Sequence, residues 1–128
     1  MTKKEKAETL LHDPDTHYGC AQVVLASFAE ELGITEAQAM AFAQNLSGGM
    51  GHGYVCGAVT GALIAMGGLG LPQETRKDMI REIKEHHGCT DCASLLKAAV
   101  ARGESRKEHC PRMMLECIAF VCRQTGIE

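Results

Sequence analysis

Seven cysteines in 128 residues are the part of this sequence best equipped for chemistry. Four of them stand where a helix should begin. Cys20 follows Gly19 and opens a run with apolar residues at helical spacing. Cys56 closes a glycine-rich loop and opens a second such run. Cys92 falls in a first turn beside the capping candidates Thr90 and Asp91. Cys110 directly precedes Pro111, which reads as the first helical residue, so Cys110 reads as its N-cap. A helix N-terminus offers unpaired N–H groups and about half a positive charge, so it favours an anion. The expectation is therefore a thiol of lowered pKa, more often thiolate. Thiolate binds metal, holds iron–sulfur clusters and attacks disulfides. Four such thiols suggest four helix starts aimed at one anionic centre. A single buried cysteine is often just a small core residue, but core packing gives no reason for four to prefer helix starts.

The remaining cysteines read differently. Cys117 lies on the apolar stripe of the last helix, and Cys122 is about 140° round from it, so both read as core or surface thiols. Cys89-Thr90-Asp91-Cys92 is a C-x-x-C, the spacing of a redox dithiol or of half a zinc site. Ala93 follows it where a c-type haem attachment needs His. Among the histidines, His52 in the glycine loop and His109 beside Cys110 are positioned to supply or tune a ligand. A solvated or hydrogen-bonded imidazole is the ordinary reading of each. The loop is no phosphate cradle, because the third glycine of G-x-G-x-x-G would fall on Cys56 and no G-K-S/T follows. No nucleophile–base–acid arrangement is readable, so no catalytic residue is named.

These thiols need elements to position them. The segment from Ser47 to Gly67 begins as a glycine-rich loop and becomes a small-residue helix. Gly57, Gly61 and Ala65 are four apart and share one face, on which a neighbouring backbone can pack closely. Around this central helix the sequence predicts helices from Thr2 (capped with Glu5) to Leu11, from Cys20 to Leu32, and from Thr35 (capped with Gln38) to Leu46. Further helices follow Pro72, Cys92 and Cys110. Gly33 and Gly88 read as stops. No stretch alternates with period two. The predicted fold is all-α, one domain over residues 1–128, a bundle of about seven helices around the glycine-rich one.

Composition narrows the function. The formal net charge is −3, Trp is absent and aromatics are 4%, which argues against nucleic acid and anionic membranes as partners. Asn45 to Gln73 carries no formally charged residue, but glycines break it and its apolar part is short, so it reads as a buried helix and not a membrane span. No apolar stretch follows the N-terminal lysines, so no secretory signal is visible and a cytoplasmic protein is expected. An odd cysteine count rules out a fully paired disulfide framework within one chain.

The motifs resemble those of a redox-active family with four cysteines and a C-G-A-x-x-G motif, the C_GCAxxG_C_C family, related to the iron–sulfur domain of split-Soret cytochrome c. Here the motif stands as Cys56-Gly57-Ala58-Val59-Thr60-Gly61, preceded by Gly19-Cys20-Ala21-Gln22 and by the loop Gly48-Gly49-Met50-Gly51. The segment Gly88 to Leu96 aligns a third family cysteine with Cys92, and the last falls on Cys110. The resemblance implies that Cys20, Cys56, Cys92 and Cys110 are the family cysteines, with Cys89, Cys117 and Cys122 outside the pattern. It implies an iron–sulfur role, most simply a [2Fe–2S] cluster carrying electrons to a redox partner protein. Cys89 is the alternative donor at its C-x-x-C. Two other readings stay open: a thiol–disulfide oxidoreductase using Cys89 and Cys92 with Cys20 or Cys56 resolving, and a structural zinc module, since all-thiolate sites suit zinc and iron–sulfur alike. Whether the chain is an enzyme, and whether it pairs as a homodimer, is not written in the residues.

Overall fold

A computed structural model describes residues 1–128. It is all-helical: α1 (Lys3–Leu11), α2 (Cys20–Ser27), α3 (Ala29–Leu32), α4 (Glu36–Ala43), α5 (Gly57–Gly68), α6 (Thr75–His87), α7 (Cys92–Ala101) and α8 (Arg106–Thr125), with a tight turn at Gly49–Gly53. Reciprocal capping sets three of the starts. The Thr2 hydroxyl accepts from the Glu5 N–H at 3.1 Å while the Glu5 carboxylate accepts from the Thr2 N–H at 3.0 Å. Thr35 with Gln38 and Ser105 with Glu108 repeat the arrangement. Gly33 and Gly88 end α3 and α6 in the left-handed conformation, at φ 72° and 81°.

There are eight α-helices where seven were expected, because the second predicted helix breaks at Phe28 (φ −106°, ψ 10°). Just before the break, the Ser27 hydroxyl donates to the Val23 carbonyl at 2.8 Å, a back-bond that bends helices. Two predicted starts move. Pro72 does not open α6; it lies in a turn where the Thr75 N–H donates to its carbonyl at 3.0 Å. Pro111 does not open α8, which begins five residues earlier at the Ser105 cap and runs through the proline. The side chain of Ser105 accepts an N–H and so settles the start, whereas Pro111 merely leaves the Lys107 carbonyl without its helical partner. Val100 of α7 is exposed.

The core forms where α2 and α5 meet, with α8 packed against both. Ala21, Val23, Val24 and Leu25 of α2, Ala58, Val59 and Ala62 of α5, and Cys117, Ile118 and Val121 of α8 are buried. The small-residue face of α5 lies against α2. A Cβ built on Gly61 would stand 2.8 Å from the Ala21 carbonyl oxygen and 3.1 Å from its Cα, so only glycine lets the two backbones approach this closely. One turn earlier, a Cβ on Gly57 would stand 2.5 Å from the Cys20 sulfur. Close packing along this face thus sets the start of α5 on the start of α2. No helix is long and apolar enough to cross a membrane.

The capping boxes carry a pH signature. Hydrogen bonds from Thr2 and Ser105 hold the carboxyls of Glu5 and Glu108 below their ordinary 4.5. A lowered folded-state pKa means that the unfolded chain binds the proton first. This share of stability is present above pH 4.5 and is lost as the pH falls through the folded-state values. A thermal-unfolding series from pH 6 to pH 3 should therefore decline less steeply in the double variant Glu5→Gln, Glu108→Gln than in the parent. Identical slopes would show that the caps are not linked to acid stability.

Candidate metal centre

Cys20, Cys56, Cys92 and Cys110 line one small cavity of about 20 Å³, together with Leu95, Leu96, Met113, Gly48, Arg106 and His109. Such a space holds about one water-sized body. Four different helices deliver the four sulfurs. Cys20 is the first residue of α2, Cys56 the N-cap of α5 and Cys92 the first residue of α7. Cys110 departs from expectation: it is the fifth residue of α8, not its N-cap, because the helix starts at Arg106. It reaches the cavity from the side of a helix, one turn beyond the end.

Cys56 and Cys92 are also joined through the backbone. Val55 and Asp91 form an isolated antiparallel bridge. The Cys56 N–H donates to the Thr90 carbonyl at 2.8 Å, and the Cys92 N–H donates to the Tyr54 carbonyl at 2.6 Å. The bridge is reached through the turn at Gly49–Gly53. There Gly48, Gly49, Met50 and Gly51 are all left-handed, with φ from 61° to 73°. A Cβ on Gly49 would stand 2.4 Å from the Tyr54 nitrogen, so glycine is required for the chain to fold back this tightly.

The electrostatics correct a second expectation. Three of the cavity thiols, Cys56, Cys92 and Cys110, are held protonated, not ionised. Burial pushes Cys56 up to about 12, outweighing the lowering effect of the Ala58 and Val59 N–H groups at the helix start; the neighbouring Cys20 and Cys92 raise it further. Burial, then Cys20, also raises Cys92 and Cys110, against the Arg106 guanidinium, which lowers both. The helix-start N–H groups lower the pKa at Cys56 as anticipated, but removal from water costs a thiolate more than they return.

The other candidates divide. Cys89 does not line the cavity; its thiol donates to the His87 carbonyl at 3.8 Å. Cys117 is fully buried in the core, and burial raises its pKa well above 9.0. Cys122 is half-buried and outside the cavity. His52 is exposed and stacks on Tyr54 at 5.4 Å between ring centres. His109 is neither solvated nor fully hydrogen-bonded: it is 3% exposed, lines the cavity, and its Nδ1 has no partner. Burial lowers its pKa, so it is neutral at pH 7. Sequence reasoning missed Arg106, although the Ser105-x-x-Glu108 capping pattern would have placed it in the first turn of α8 beside the cysteines.

No three His, Cys, Asp or Glu side chains are drawn together tightly enough to hold an ion. In kind, the residues fit a thiolate-held centre. The donors are all soft sulfur, glycine at position 57 leaves room for the Cys20 sulfur, and an unpartnered imidazole nitrogen lies in the same wall.

Neither a curated protein nor a solved structure matches this sequence. A family match does cover all four cavity cysteines: over residues 18–123 the chain matches, and belongs to, the family described as "Putative redox-active protein (C_GCAxxG_C_C)".

Proposed function

We propose that Cys20, Cys56, Cys92 and Cys110 hold an iron–sulfur cluster, of the [2Fe–2S] type, and that the protein passes single electrons to a redox partner protein. One observation carries the reading: four thiols from four helices line a single cavity, while the other three cysteines lie outside it. When bound, such a centre would supply a one-electron couple. The chain's own residues supply the rest. Leu95, Leu96 and Met113 limit access of water, and Arg106 offsets thiolate charge beside Cys92 and Cys110. Because Cys56, Cys92 and Cys110 start protonated, loading must release protons, and apparent affinity should rise with pH.

A dithiol oxidoreductase built on Cys89 and Cys92 has less support, since the Cys89 thiol is turned to the His87 carbonyl and only Cys92 lines the cavity. A zinc module would use the same four sulfurs. Anaerobic purification followed by an absorbance spectrum and by iron, sulfide and zinc analysis separates the three. Iron and sulfide in equal amounts, with visible absorbance, is the expected result. A colourless protein containing only zinc overturns the cluster. A metal-free protein with a reversible two-electron thiol couple favours the oxidoreductase.

A further inference from the structure

An open groove of about 780 Å³ lies beside the thiol cavity. That is within the roughly 300–1,000 Å³ usual for small-molecule sites. Cys20, Gly48, Arg106 and Cys110 line both, so the groove is the solvent approach to two of the four sulfurs. Its walls combine two kinds of surface. Leu11 at the end of α1, Tyr18 before α2 and Leu115 on α8 are half-buried and present apolar area. Arg106 and Lys107, the first two residues of α8, bring two fixed positive charges, and the one carboxylate of the lining is Glu8.

No carboxylate of the chain neutralises either cation. The ion pairs of the molecule use Lys3, Lys6, Arg81, Arg102, Arg112 and Arg123, but neither Arg106 nor Lys107. The Arg106 guanidinium lies beside the Cys110 thiol and lowers its pKa, but no carboxylate holds it. In a protein of net charge −3, two unpaired cations at one mouth of an apolar-walled groove form a local positive site. We propose that this groove binds a small organic anion with an apolar body. Its anionic group sits at Arg106 and Lys107, and its body lies against Leu11, Tyr18 and Leu115, over the sulfurs of Cys20 and Cys110. Binding stands on the groove alone and does not rest on the cluster reading.

The test uses the full chain as purified, with 8-anilinonaphthalene-1-sulfonate as the anionic probe and uncharged N-phenyl-1-naphthylamine as its control. Fluorescence titration should give one saturable sulfonate site per chain. Lys107→Glu, at an exposed helical position, should keep the helical circular dichroism of the parent and weaken the sulfonate probe about fivefold or more, as expected when a nearby charge is reversed. The uncharged probe should change by less than about twofold, having no charge to lose. Absence of a saturable site, a sulfonate affinity unmoved by Lys107→Glu, or an equal loss for both probes would each overturn the proposal. Metal analysis of the same samples keeps the two ideas apart: charge-dependent probe binding supports the groove even in a metal-free preparation, which would overturn the cluster alone.

Discussion

Replacing any one of Cys20, Cys56, Cys92 or Cys110 by serine should lower bound metal about 100-fold in affinity and take roughly 10 °C off the thermal midpoint. The two numbers are linked. A hundredfold loss of affinity corresponds to about 2.7 kcal/mol, and each kcal/mol moves the midpoint of a chain this long by about 4 °C. Metal binding feeds folding free energy directly, and serine keeps the size but is a poor soft donor. Cys117→Ser should leave metal content intact while destabilising the core, because a hydroxyl would enter a fully buried position. Cys122→Ser should change neither greatly. Cys89→Ser is expected to keep its metal. Should it lose metal while Cys92→Ser retains it, the donor has been misassigned by three residues. If none of the seven substitutions alters metal content, the centre does not exist.

Gly61→Leu should destabilise the fold by about 1–3 kcal/mol or more in denaturant unfolding, as overpacking of a tight core does. The obstacle is backbone, the carbonyl and Cα of Ala21, and cannot rotate away. Gly57→Ala probes the same face with a different outcome, because its methyl would meet the Cys20 sulfur at 2.5 Å and the Ser47 Cα at 3.0 Å. It should reduce metal content as well as stability. A Gly61→Leu variant as stable as the parent would show that α2 and α5 are not in close backbone contact.

Much of this was legible in the residues. Thr2 with Glu5 and Thr35 with Gln38 announced their helices, Gly33 and Gly88 their ends, and Gly61 the close packing. Helix-start positions singled out the same four cysteines that line the cavity, although Cys110 was selected for the wrong reason. Pro111 was given more weight than Ser105 and Glu108, whose side chains make actual bonds to the backbone. What the sequence could not carry depends on three dimensions. A bridge of three residues against three has no periodicity to detect. The pKa of Cys56 depends on how much water its neighbours exclude, and those neighbours come from other helices. At the break the Phe28 N–H donates to the Leu25 carbonyl, one residue short of its helical partner, a choice that local pattern leaves open.

The pairing of Tyr54–Cys56 with Thr90–Cys92 bears on how the proposed centre would assemble. Its hydrogen bonds belong to the peptide backbone and need no ligand. Two of the four donors are therefore registered to each other before anything is loaded, and the entropy of bringing chain positions 56 and 92 together is already spent in folding. Cys20 is brought in by the α2–α5 contact, also without a ligand. Metal-dependent zinc fingers gain their structure on binding; here the scaffold precedes the cargo. An incoming centre would meet donors already registered by the backbone and would have to strip protons from sulfur and rearrange the side chains around itself. Loading would then be limited by deprotonation and access, not by a search among chain conformations.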